Sequence, residues 1–244
     1  MRKTVKVMIK VEKISKTFGK TQALKDVTLE IGDKECFALL GFNGAGKTTL
    51  LNILSTVLTP TSGAAWIDGC RLGEENEKIK SILNIAPQEI AVAKNLTVEE
   101  NLCLIADLYE IKDKKQRVEE MLSSFGLTEK RKAQAKKLSG GQLKRLSIAL
   151  AVLTNPKILF LDEPTLGLDI KARQRLWEMI KGLKEKMTIV LTTHYLEEVE
   201  ALTDRIAIIS RGEIKGVGTL KELLSLTGQI TLEGAFLALS EEEE

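Results

Sequence analysis

Cysteine, charge of one sign, long apolar runs and aromatic residues are all in short supply in this chain, and each shortage narrows what it does. The three cysteines, Cys36, Cys70 and Cys103, stand far apart and form no CxxC pair. Neither a zinc site nor a disulfide framework is expected from them, and a reducing compartment fits. The 36 basic and 34 acidic residues are mixed along the chain and leave a net charge of only +2. Without a basic block, nucleic acid is not indicated as a partner. No apolar run approaches the length of about 18 residues that a membrane-spanning helix needs. Met1 to Lys20 alternates charged with apolar residues and has neither an h-region nor a cleavage site, so no signal peptide is expected. If the protein works at a membrane, a partner takes it there.

What remains is the composition of a globular protein, 43% hydrophobic and 29% charged over 244 residues. That length buries a sizeable core as one large domain or as two lobes. The most informative stretch is Gly41-Phe42-Asn43-Gly44-Ala45-Gly46-Lys47-Thr48-Thr49, which fits the phosphate-loop pattern. Cys36 to Leu40 before it reads as a buried strand and Leu50 to Leu54 after it as a helix. That order gathers backbone N–H groups and a helix N-terminus around one point, where a polyphosphate would sit. Lys47 would reach the β- and γ-phosphates, and the Thr48 hydroxyl would hold Mg²⁺. The competing reading is a glycine-rich turn with a surface lysine; the full pattern between strand and helix favours the phosphate loop.

Val5 to Ile14 and Ala23 to Ile31 alternate as strands do, and Lys16 to Lys20 between them reads as a turn. Aromatics are only 4% of the chain, so Phe18 in that turn stands out. It reads equally as a ring that stacks on a base, a contact worth about 1–3 kcal/mol in nucleic-acid binders, or as one folded back into the sheet. Pro60 to Gly63 is a turn, Ala64 to Ile67 a short strand, and Ser81 to Ala86 an apolar run broken by Pro87. Gln88 and Glu89 follow. From Val98 to Gly126 the period becomes helical, opened by a Thr97/Glu100 capping box, with a second helix over about Lys114 to Phe125. This helical insert suggests a second lobe.

Leu138-Ser139-Gly140-Gly141-Gln142 opens another amphipathic helix, with Ser139 suited to cap it and two glycines making a second potential anion site. Ile158 to Leu161 is a short apolar strand ending in Asp162 and Glu163. Carboxylates at the carboxyl end of a buried parallel strand lie where such sheets bind ligands. Asp162 suits the shell of Mg²⁺, and Glu163 is placed to orient and polarise a water. Arg173 to Lys186 reads as a helix and Thr188 to Thr192 as a strand. The single histidine, His194, directly follows that strand, where a donor meets a γ-phosphate. Ile206 to Ser210 is a last buried strand, Glu213 to Val217 a short edge strand, Leu232 to Leu239 a small helix, and Glu241 to Glu244 a solvated end.

Together these motifs resemble the nucleotide-binding (ATP-binding) subunit of an ABC transporter over essentially the whole chain. The Walker A loop falls at Gly41 to Thr49, the LSGGQ signature at Leu138 to Gln142 and the Walker B strand with its glutamate at Ile158 to Glu163. Gln88 matches the Q-loop, Asp169 the D-loop aspartate, His194 the switch histidine and Phe18 the adenine-stacking aromatic. The resemblance implies a single α/β domain over 1–244, built as a RecA-like P-loop NTPase core with a small antiparallel β lobe. A helical lobe is expected over about 89–153 and a short tail over about 219–244. It implies an ATPase that uses ATP and Mg²⁺, with Glu163, His194 and Gln88 as catalytic residues and Thr48, Gln88 and Asp162 around the metal. It also implies a head-to-tail dimer, with a second copy or a related ATPase subunit, in which Ser139, Gly140, Gly141 and Gln142 cover the nucleotide on the other subunit's Walker A.

The expected partner is an integral-membrane permease, which holds the subunit peripherally on the cytoplasmic face of the cell membrane. The stretch from Thr193 to Glu198, with Asp204 to Ile206 and the Leu232 to Phe236 tail, is similar to the branch serving export-type or ABC-2-type permeases. Two positions depart from the family pattern: Phe42 stands where proline is usual, and Leu166 replaces a small polar D-loop residue. ABC ATPases of DNA repair or translation would carry a long coiled-coil insert, zinc cysteines or two cassettes. A regulator without turnover would lack Lys47 or Glu163. None of those signs is present.

Overall fold

Three short, mostly apolar runs that are buried throughout decide the architecture, because strands buried on both faces must lie inside a parallel sheet covered on each side. In the computed structural model, which describes residues 6–240, these runs are β3 (Cys36–Leu40), β7 (Ile158–Asp162) and β8 (Thr188–Thr193), and every residue in them is buried. Val5 and Glu241 to Glu244 lie outside the described residues. The remaining elements, in chain order, are β1 (Val7–Phe18), β2 (Thr21–Gly32), α1 (Lys47–Leu54), β4 (Ser62–Ile67), β5 (Cys70–Arg71), α2 (Asn76–Ile82) and β6 (Leu83–Ala86). After these come α3 (Val98–Leu108), α4 (Lys114–Ser124), α5 (Gly140–Val152), α6 (Ile170–Lys184), α7 (Leu196–Leu202), β9 (Arg205–Ser210), β10 (Glu213–Gly218), α8 (Leu220–Thr227) and α9 (Leu232–Ser240).

The main sheet has the order β10-β9-β3-β8-β7-β6, with β10 antiparallel to β9 and the other neighbours parallel. A second, antiparallel sheet runs β2-β1-β4-β5. Because strand side chains alternate, each central strand feeds two cores. Cys36, Ala38 and Leu40 join Leu159, Leu161, Ile189 and Leu191 on the face covered by the helical lobe and the C-terminal helices. Phe37 and Leu39 join Ile158, Phe160 and Val190 on the other face, against α1 and the antiparallel sheet. This is a RecA-like α/β core with a small antiparallel β lobe and a lobe of helices.

The helical lobe is α3, α4 and the start of α5. Thr97 caps α3 by accepting from the Glu100 N–H at 3.2 Å, while Glu100 accepts from the Thr97 N–H at 2.7 Å. Buried Asn101 ties the preceding loop to α3 by accepting from the Ala93 N–H and donating to the Thr97 carbonyl. Arg117 of α4 donates to the carbonyls of Val152 and Leu153 at the end of α5.

The structure departs from the sequence reading at several boundaries. Strand β1 runs on through Phe18, so the turn shrinks to Gly19 and Lys20. Ser81 belongs to α2, and the strand begins only at Leu83. Helix α6 starts at Ile170 because Asp169 accepts from the Ala172 N–H and caps it there. Helices α2, α7 and α8 carry too few turns to show a clear period, and only contact with the core makes them stable. No single helix among the described residues is long and apolar enough to cross a membrane.

Candidate functional site

The loop after β3 turns into α1 at Gly46, whose φ is 107°. A Cβ there would stand 2.8 Å from the Ala23 carbonyl oxygen, so only glycine combines this turn with this close approach. No side chain among the described residues caps α1, which leaves the N–H groups of its first turn free for an anion. They border a cleft of about 380 Å³, lined by Asn43, Gly44 and Gly46 to Thr49 on one side and by Gln88, Glu163 and His194 on the other. Gly41 and Ala45 are buried behind it. Phe42 lies outside that lining and sets its ring 4.8 Å from that of Phe236 on α9.

Lys47 is 5% exposed and its ammonium is fully engaged. It donates to the Gly41 carbonyl at 2.7 Å and to that of Phe42 at 3.2 Å, and it pairs with Glu163 Oε1 at 3.2 Å. His194 Nδ1 approaches Glu163 Oε2 to 3.0 Å, although neither atom completes a hydrogen bond. Glu163 thus holds its carboxylate between a cation and an imidazole. Its backbone is left-handed, with φ of 46°, a costly state for a residue with a Cβ that persists only where the surroundings impose it. Here the Glu163 N–H is pinned by the carbonyl and the hydroxyl of Thr192, each at 3.1 Å. Thr48 donates to Asp162 at 3.1 Å, and Thr192 donates to the same carboxylate. The oxygens of Thr48 and Asp162 suit a small hard cation such as Mg²⁺.

The remaining residues singled out in the sequence sit elsewhere. Ser139 caps α5 by accepting from the Gln142 N–H at 3.3 Å, and Gln142 accepts in return from the Ser139 N–H. Neither these two residues nor Gly140 and Gly141 line the cleft. Asp169 serves as the cap of α6. Phe18 stands at the end of β1, 46% exposed, with Lys16 Nζ 5.0 Å from its ring centre, and it does not line the cleft either. The exposure argues against a ring folded into the sheet.

Three residues near the cleft were given no part in the site by the sequence: Thr192, Glu198 and Lys144. A threonine within an apolar strand and a glutamate or lysine on an amphipathic helix carry no signal of their own. Glu198 of α7 is completely buried. Burial pushes its carboxyl pKa up, partly offset by Thr193, Thr165 and Trp177 around it. None of them meets it at hydrogen-bond geometry, since both its oxygens, Thr165 Oγ1 and Trp177 Nε1 stay unpartnered among the described residues. The native state therefore keeps the Glu198 proton to a higher pH than the unfolded chain does. Stability falls as pH rises from the ordinary glutamate range to the raised pKa and stays lower beyond it. Glu198→Gln abolishes this loss, so its melting temperature should exceed the parent's at about pH 8 and match it near pH 4. Thermal melting across that range checks both ends; an equal offset at all pH values would show that the carboxyl does not titrate.

A glycine-bearing loop between a buried strand and an uncapped helix, faced by a lysine, a threonine and two strand-end carboxylates, defines a P-loop nucleotide-binding protein. Residues 24–166 match the family described as ABC transporter. The chain is 39% identical over 235 residues to the linearmycin resistance ATP-binding protein LnrL of Bacillus subtilis (strain 168), covering 93% of this chain and 76% of that one. It is 38% identical over 217 residues to the human phospholipid-transporting ATPase ABCA3, matching 86% of this chain but only 13% of that much longer protein. An ATP-binding subunit of an ABC transporter superposes with a TM-score of 0.86 at 30% identity, over 96% of this chain and 100% of that chain. The cassette MJ0796, solved as a post-hydrolysis dimer bound to ADP and Pi, gives 0.78 at 28% identity over 87% and 99%. The chain belongs to the ABC transporter family and is an ATP-binding cassette of it.

Proposed function

We propose that this chain is the subunit that hydrolyses ATP in a head-to-tail dimer and so drives a separate membrane permease. The observation that carries this reading is Glu163, whose carboxylate lies between Lys47 and His194 at the mouth of an anion-binding loop. Loop N–H groups from Gly41 to Gly46 and the Lys47 ammonium hold the β- and γ-phosphates, and Phe18 stacks on the adenine. A polyphosphate competes with Glu163 and two carbonyls for Lys47, so its arrival releases the carboxylate to orient the attacking water. His194 donates to the γ-phosphate. Thr48, Asp162 and Gln88 are the residues that would hold Mg²⁺, and the ion, when bound, supplies positive charge to the phosphates.

In the dimer, Ser139 to Gln142 of one chain cover the nucleotide of the other, and Asp169 faces across the interface. Residues 1–244 act as one cassette, with the helical lobe at about 89–153 meeting the permease on the cytoplasmic side of the membrane and the tail starting near 219. Gln88 lines the cleft and heads the segment entering the helical lobe, so changes at the γ-phosphate reach that lobe through it.

The test begins by isolating the chain from membranes in mild detergent and reconstituting it with the multispanning protein that accompanies it. Gln88→Ala should then depress transport about tenfold while basal ATPase falls less than about threefold. Equal losses would confine Gln88 to chemistry, and the absence of any membrane partner would overturn the permease reading.

A further inference from the structure

Lys144 lies on the second turn of α5, only 4% exposed, and forms no ion pair among the described residues. Taking an ammonium out of water is expensive and is ordinarily offset by a carboxylate. Here Nζ instead donates to two main-chain carbonyls, those of Pro87 at 3.4 Å and Gln88 at 3.2 Å. Burial pushes its pKa down, opposed by the more distant charges of Asp162, Glu198 and Glu163. A methionine would fill the same space without that cost. What the ammonium adds is a directional hold on the loop at Gln88.

The neighbouring contacts make the hold consequential. Arg145, the next residue, donates to the carbonyls of Phe125 and Gly126, and the far end of α5 is held by Arg117, so α5 is fixed within its lobe. Ser139, at its capped start, is five positions from Lys144, about 7.5 Å along the axis. Among the described residues, Lys144 makes the only side-chain hydrogen bonds between α5 and the loop at Pro87 and Gln88.

We infer that Lys144 is a positioning residue that locks the Gln88 loop to the signature helix, so that the two nucleotide-facing elements of one chain move together. On the head-to-tail reading, Gln88 faces the chain's own nucleotide and Ser139 to Gln142 face the partner's. Lys144 then carries the state of one ATP site to the other, and cooperativity between the sites depends on it.

Two measurements on the full chain separate this inference from the dimer reading it builds on. Hydrogen–deuterium exchange on dilute protein compares Lys144→Met, Lys144→Arg and the parent, with melting temperature as a control for folding. Lys144→Met should speed amide exchange at residues 88–92 by about tenfold at unchanged or higher melting temperature, and Lys144→Arg should restore protection. Unchanged exchange at 88–92 overturns the lock whatever the oligomeric state, and a Lys144→Met variant too unstable to compare is replaced by Lys144→Gln under the same criterion. The second measurement is ATPase rate against ATP concentration. A parent with a Hill coefficient above one should fall to about one in Lys144→Met, with kcat reduced more than KM changes. Retained cooperativity with a loosened loop refutes the transmission step. A parent that never dimerises refutes the head-to-tail reading and with it that step, leaving the lock to the exchange result.

Discussion

Glu163→Gln is expected to bind ATP at least as tightly as the parent and to turn it over about 10²- to 10⁴-fold more slowly, the usual contribution of a positioned general base. The amide keeps the shape of a side chain that is 4% exposed, so packing around it is preserved. It removes the negative charge that pairs with Lys47 at 3.2 Å. Among the described residues, Lys47 is then held only by the carbonyls of Gly41 and Phe42 and is freer to meet phosphate. Phosphate release together with equilibrium binding of a fluorescent ATP analogue reads both halves of the expectation. Hydrolysis at the parental rate would remove Glu163 from the mechanism, and loss of binding would mean that its charge is needed to shape the loop.

The second large effect comes from combining two inactive proteins. Lys47→Ala removes the ammonium at the phosphate loop, and Ser139→Arg places a bulky cation at the start of α5 while removing its cap, which costs about 1 kcal/mol. Each variant alone should lose nearly all ATPase activity while remaining folded by circular dichroism. In a head-to-tail dimer of the two, one site collects both lesions and the other neither, so mixing restores activity, at most half per mixed dimer if the sites fire independently. No recovery, with mixed dimers shown to form, would mean that both elements act within one chain or that both sites must be intact. Disulfide trapping between cysteines at positions 139 and 43 separates these outcomes. Only Cys70 and Cys103 need replacing for it, because burial pushes the Cys36 thiol to about pKa 12 and leaves it unreactive. A cross-link found only within single chains would refute the composite site.

The site was legible wherever chemistry is written in contiguous residues. The loop from Gly41 to Thr49 and the strand ending in Asp162 and Glu163 each combine a turn or a strand end with reactive groups inside one short window, and the caps at Thr97 and Ser139 are equally local. The same locality made β3, β7 and β8 readable as strands, while their parallel pairing is seen only in the fold. What stayed hidden depends on partners distant in sequence. Nothing at position 192 announces that its hydroxyl binds Asp162, nor at 144 that the ammonium reaches residue 88, because those meetings follow from how β7, β8 and α5 pack. Short α2, α7 and α8 were hidden for the same reason, and the contact of Phe42 with Phe236 joins residues nearly the whole chain apart.

The chain has two tryptophans, and their placement makes it self-reporting. Trp66 sits in the antiparallel sheet beneath Lys10, whereas the Trp177 indole nitrogen is buried by the Glu198 carboxyl that Thr165 also neighbours, residues that follow the turns carrying His194 and Glu163. Indole emission shifts with the fields and hydrogen bonds around the ring, so with Trp66 changed to phenylalanine the remaining fluorophore watches those two turns without a dye. Light absorbed at a single site would then report, in real time and in an unlabelled protein, whether the carboxylate turn and the histidine turn rearrange when nucleotide is added.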